Sequence, residues 1–248
     1  MIKVKFLRLL SYLAVFVGLF LLVLPQLNRF RIDNRAKKNN AVAEEISATD
    51  MQNNINSKTS FDFDSIDEIS PSGTLLSPDL IDLNSIIPSG TLMSPDLINQ
   101  NLIIGRLYIP SIDLNLTVFN GVSNSILLAG LGTMRPGLTM GQGNFPIAGH
   151  YSADSDILFG NLISVEIGDK IYLTDNEKIY EYKVYETRIV DVTEVKWIED
   201  TVAKEHGKPI ISLMNCYYVD GQNTGDRYFV FGELIEISDL ADSPIYLK

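Results

Sequence analysis

Residues 102–121 read LIIGRLYIPSIDLNLTVFNG, and the punctuation of this stretch decides the fold. Two short runs rich in branched and aromatic side chains, 102–109 and 114–119, are split by Pro110-Ser111 and closed by Asn120-Gly121. That is the pattern of strands separated by turns. Outward from here the pattern repeats: 145–150, 170–174, 179–190, 209–217 and 228–237 are further strand candidates, divided by turn-rich residues at 141–144, 175–176 and 220–226. Roughly seven or eight strands over 101–238, with little room for long helices, predict an all-β barrel or sandwich. Closure into a barrel would also remove exposed edges. Residues 239–248 read as a C-terminal tail.

Upstream of this body the chain changes character twice. Lys3, Lys5 and Arg8 precede an apolar run from Leu9 to Leu24, interrupted only by Ser11 and Tyr12; carried on to Leu27 it spans 19 residues. About 20 residues cross ~30 Å of hydrocarbon. A cleaved signal peptide would have a shorter apolar region, about 7 to 15 residues, with small residues at the cut. The length, and Pro25-Gln26-Leu27-Asn28-Arg29 at its end, favour an uncleaved single-pass anchor within 1–38. The five basic residues after the run outnumber the three before it, so charge alone does not orient it. Long domains translocate largely regardless of flanking charge, which predicts a cytoplasmic N-terminus and an extracellular body.

Residues 39–100 read as a stalk and linker, the first part, 39–60, polar and flexible. Within it Pro71 to Ile81 recurs at Pro88 to Ile98, ten of eleven residues identical at an offset of 17. Two copies are too few for a solenoid. Ser77-Pro78 and Ser94-Pro95 suit helix starts, so the repeat reads as a duplicated linker with two helical turns.

Composition narrows the function. Hydrophobic residues are 46% of the 248 and charged residues 21%, which excludes a chain disordered throughout. The net charge of −11 is uneven: eight basic residues against Asp33 alone leave 1–38 at +7, and twelve against thirty leave 39–248 at −18. A body this acidic is a poor ligand for nucleic-acid phosphates. With Cys216 the single cysteine, an internal disulfide and a four-cysteine zinc site are both excluded.

Candidate chemistry is sparse enough to search by hand. His150 ends the strand Pro146-Ile147-Ala148-Gly149-His150, whose small residues admit close approach of a ligand or another backbone. Cys216 ends Ser212-Leu213-Met214-Asn215-Cys216, and Arg227 opens the last long strand. A thiolate is the nucleophilic form of cysteine, and a neighbouring imidazole or guanidinium favours it. Each residue alone has an ordinary reading, Cys216 as a small buried hydrophobe and His150 as a strand end that is simply solvated or hydrogen-bonded. His206 lies in a polar stretch, 203–208, and reads as a solvated loop residue.

Taken together, Ile104 to Pro110 (IGRLYIP), Gly132 to Met134 (GTM), Ile147 to His150 (IAGH), Leu158 to Leu162 (LFGNL), Ile171 to Asp175 (IYLTD) and Cys216 with Arg227 resemble a bacterial sortase. The anchor, the Phe61-Asp62-Phe63-Asp64-Ser65 stretch and the lack of an apolar C-terminal tail resemble the class A, housekeeping branch. The resemblance implies a closed β-barrel of about eight strands. It implies a membrane-anchored, extracytoplasmic transpeptidase that cuts an LPxTG-like sorting signal between Thr and Gly and passes the acyl group to an amine of a peptidoglycan precursor. Cys216 would be the nucleophile, His150 the general acid and base, and Arg227 the hydrogen-bond donor to oxyanion or substrate backbone, with Ala148 and Asn215 beside the substrate. A hydrolase of the same fold and a sorting-signal-binding pseudoenzyme are the alternatives.

This chain departs from the family's Thr-Leu-x-Thr-Cys in having Ser212 and Asn215. Its loop 135–144 has no Asp or Glu, where some sortases bind calcium. The expectation is therefore no cofactor and no calcium dependence. Ile87-Pro88-Ser89-Gly90-Thr91 resembles a sorting signal with its last two residues exchanged, which raises a self-occupying segment as the rival to a plain spacer.

Overall fold

The computed structural model describes residues 2–61, 99–152 and 157–242. The duplicated segment 71–98 and the last six residues of the expected tail lie outside them. Eight strands close a barrel in the order β1 (Ile103–Ile109), β2 (Leu114–Phe119), β3 (Leu131–Thr133), β4 (Asn144–Ala148), β7 (Ile210–Val219), β8 (Gln222–Asp239), β6 (Lys178–Val190) and β5 (Lys170–Thr174). β2–β3 and β4–β7 are parallel and the other neighbours antiparallel. Closure pairs every strand on both sides, so no long edge is left. The interior is filled by alternate residues, among them Leu107, Ile109, Phe145, Ile147, Leu173, Tyr182, Ile211, Leu213 and Val230, all buried.

Turn chemistry sets the register. At β7–β8 the expected polar loop 220–226 is instead a two-residue turn, Asp220 (φ 50°) and Gly221 (φ 76°), with β8 beginning at Gln222. Two successive positive φ values suit the twist of a tight hairpin. β3 was not legible as a strand, because three residues show no period.

The polar segment 39–60 is not a free stalk. Helix α1 runs Ile2–Glu45 and α2 Ala48–Ile55, and Ala36, Asn39, Ala43 and Met51 are buried against the barrel. Amide side chains bind this strap to strand and turn backbone. Asn40 Nδ2 donates to Asn115 O at 2.7 Å and Asn54 Nδ2 to Ile103 O at 2.8 Å; Asn176 Nδ2 reaches Ala43 O at 2.7 Å. Hydropathy reports none of this, because the contact uses alanines for close approach and amides for bonding. Among the described residues no helix is long and apolar enough to cross a membrane, so the fold itself does not show the expected anchor.

Candidate functional site

Strand pairing gathers the predicted residues. Ala148 of β4 lies opposite Met214 of β7, and the Gly149 amide donates to the Met214 carbonyl at 3.0 Å. His150 and Cys216 each follow two residues on from that pair. Across the β7–β8 hairpin Cys216 is directly opposite Arg227. Side chains alternate between faces, so Met214 and Cys216 share the outer face of the barrel with Ala148, Phe229 and Arg227, while Leu213, Ile147 and Val230 point into the core.

Each side chain is held differently. His150 is buried, and its Nε2 lies 3.2 Å from Asn124 Oδ1. Asn124 opens helix α3 (Asn124–Leu127), whose N-cap Ser123 accepts from the Ile126 amide. Sequence reasoning missed Asn124; a Ser-Asn pair at a helix start was its signal. Arg227 Nη1 donates to the carbonyls of Gly225 and Asp226, both at 3.1 Å. That fixes the guanidinium at the hairpin. Cys216 is partly buried and is not part of a disulfide. Gly149 has no room for a Cβ, which would stand 2.6 Å from the Phe159 ring; an alanine there would displace the backbone that carries His150.

Asn215 lies on the opposite face from Cys216. It is buried, and its Nδ2 donates to the Phe159 carbonyl at 2.8 Å. The Phe159 amide in turn donates to the His150 carbonyl at 3.1 Å. Asn215 thus ties β7 to the segment that returns after His150.

Behind the three residues the outer face is apolar. Ala148, Met214 and Phe229 form a floor, and Ile198, from the turn Val195–Ile198, packs against both the Ala148 and the Phe229 clusters. Polar bonds fix this wall. Arg135 pairs with Asp200 and donates to Ile198 O at 3.0 Å and Asn144 O at 2.8 Å. Asn144 donates to Trp197 O at 3.0 Å and accepts from Ser212 Oγ at 2.7 Å. The hydroxyl of Ser212 therefore has a structural partner four residues before the thiol.

His206 is not a solvated loop residue. It ends helix α4 (Asp200–His206), stacks on Tyr185 at 4.0 Å and sits 3.0 Å from Glu233. Hydrogen bonds from His206 and Lys208 hold the Glu233 carboxyl below its ordinary range, and burial pushes the Tyr185 phenol up to about 12. A seven-residue helix carries too few turns to show a period in sequence.

The sortase domain family model matches residues 107–235. The chain is 33% identical over 224 residues to the sortase A of Listeria monocytogenes, covering 90% of this chain and 89% of that one. It is 41% identical over 132 residues to the sortase A of Bacillus anthracis, covering 53% and 60%. The solved structure of Listeria monocytogenes sortase A superposes with a TM-score of 0.51 at 40% identity, over 57% of this chain and 92% of that one. An eight-stranded closed barrel that sets Cys216 opposite Arg227 across its last hairpin, and these likenesses, agree: the chain belongs to the sortase family of cysteine transpeptidases, on its class A side.

Proposed function

We propose that Cys216, His150 and Arg227 are the reacting group of this sortase. The observation that carries the reading is the strand register, Ala148 against Met214 and Cys216 against Arg227. The thiolate adds to the Thr carbonyl of an LPxTG-like signal, Arg227 donates to the oxyanion or to the adjoining substrate backbone, and His150 protonates the departing Gly amine. An amine of a peptidoglycan precursor then takes the acyl group from the thioester, which attaches a surface protein to the wall. Met214, half-buried between buried Ala148 and Phe229, offers an apolar surface to the Leu-Pro part of the signal. Asn215 is a positioning residue, acting through the Phe159 carbonyl.

Family membership favours this transpeptidase over a hydrolase or a pure binder. The test is Cys216→Ala: turnover is lost while the fold survives, because alanine is also small and apolar. Cleavage of donor peptide by that variant would overturn the assignment. Product analysis with and without an amine separates transfer from hydrolysis.

The enzyme is further read as a single-pass membrane protein with the barrel outside. Support comes from the apolar run and from the exposure, within it, of Tyr12, Leu13, Val15, Phe16, Leu19 and Phe20. Protease added to wall-stripped cells digests the body in this topology; complete protection refutes it. No calcium is required in this reading, since the Arg135 guanidinium already bridges loop 135–144 to Asp200 and Ile198. A several-fold gain in activity on adding calcium over chelator would contradict that.

A further inference from the structure

On the far side of Cys216 from the apolar floor, the backbone ladder between β4 and β7 has ended. Its last bond is that of the Gly149 amide to the Met214 carbonyl. Beyond it the two chains are joined by aromatic rings: Tyr151, next after His150, and Tyr218, two after Cys216, stack with centroids 4.3 Å apart and planes 16° from parallel. Both are half-buried, so each keeps ring surface in solvent. Tyr218 pairs across the hairpin with Asn223, and β8 places three residues between that pair and Arg227 where β7 places one between it and Cys216. The hairpin tip between Tyr218 and Arg227 carries Asp220 and Asp226 and no basic residue.

The two ends of the outer groove therefore differ in chemistry. One end is aliphatic and aromatic without charge. The other offers π faces at the base of a hairpin whose tip carries two carboxylates, and aromatic faces attract an organic cation. A peptide laid along β7 with its acyl part over Met214 puts its leaving group, and afterwards the incoming amine, on the tyrosine side.

We propose that the Tyr151–Tyr218 stack is the acceptor subsite, receiving a peptide-borne primary ammonium and its adjoining peptide plane. The proposal rests on Cys216 and His150 as the reacting pair. In the transfer two protons leave the ammonium nitrogen, one to the imidazole of His150 and one to the sulfur of Cys216. The C–N bond forms as the C–S bond breaks, so the step yields an amide, a thiol and an imidazolium.

The test uses the full-length chain, an LPxTG-type donor peptide and triglycine as the amine probe. Ligation and hydrolysis products arise from the same thioester, so their ratio isolates acceptor binding from donor binding and from general damage to the site. Tyr218→Ala lowers the ratio about tenfold at subsaturating triglycine, with recovery as triglycine is raised. Tyr218→Leu, which keeps apolar bulk without a π face, lowers it likewise, and Tyr218→Phe holds it within about twofold. An unchanged ratio in the alanine and leucine variants, or a change in the donor's KM alone, overturns the proposal. Absence of a thioester on wild-type Cys216 would remove the reacting pair itself, a result distinct from an unchanged ratio.

Discussion

Two outer walls of the barrel are built from the same kind of strand and covered in opposite ways. The β1–β2 wall lies under α1 and α2, sealed by buried Ala36, Ala43 and Met51 and by amide bonds from Asn40 and Asn54 to strand backbone. Over the β4–β7–β8 wall the described cover is the turn Val195–Ile198 and α4, packed with Met214 and Phe229. Cys216 and Arg227 lie two residues further along β7 and β8 as the directly opposed pair, and His150 lies two residues beyond Ala148. The difference teaches that closure of the barrel satisfies the strands, and that what is laid over each wall decides whether it serves stability or chemistry.

The comparison breaks most sharply at the β4–β7–β8 wall. His150→Ala and Arg227→Ala each lower kcat/KM by at least ~10², measured on protein whose melting temperature is unchanged. Arg227→Lys does not restore full activity, because an ammonium lacks the planar fork that two carbonyls hold here. Loss of folding in these variants would place the residues in the stability column instead.

The covered wall should behave in the reverse sense. A form beginning at residue 61 lacks Met51 and the strap amides, so it loses about 3 kcal/mol from one large apolar side chain and several hydrogen bonds. At about 2–4 °C per kcal/mol for a chain of this size, its melting temperature falls by roughly 6–12 °C relative to a form beginning at residue 28. Activity per folded molecule stays within about twofold, since the strap adjoins β1 and β2 rather than the thiol. Equal melting temperatures would mean that the strap is not part of the folded unit.

Asn215 links the two behaviours. Asn215→Ala leaves the Phe159 carbonyl without its donor, at a cost of about 1–3 kcal/mol in chemical denaturation. The smallest effect lies at the other end of β7, where Glu233 pairs with Ile210. Glu233 has its folded pKa depressed by hydrogen bonds from His206 and Lys208, so its contribution is present above its unfolded pKa and is lost as pH falls through the depressed value. The stability difference between wild type and Glu233→Gln therefore shrinks below about pH 4.5; a constant difference down to the acid limit would show that the hydrogen bonds do not act through charge.

Much of the barrel was legible because turn residues bound its strands. β2 and β5 occupy the stretches that Pro110-Ser111, Asn120-Gly121 and Asp175-Asn176 delimit, and β6 begins one residue earlier than its alternation suggests. β3 and α4 escaped because each is too short to display a period. The strap escaped for a different reason: Asn side chains on strand carbonyls leave no hydropathic trace. Of the site, the residue types Cys216, His150 and Arg227 were visible. That Cys216 faces Arg227 depends on a two-residue turn at Asp220-Gly221, and the contact of His150 with Asn124 joins residues 26 apart, which no local pattern encodes.

The most direct test of the account is to quench the wild-type enzyme during turnover of an LPxTG-type peptide and map the covalent adduct by mass spectrometry. The account predicts one acyl group, ending in the Thr carbonyl, on Cys216, and none on the Cys216→Ala variant. An adduct on another residue, or donor cleavage by Cys216→Ala at a wild-type rate, would contradict it.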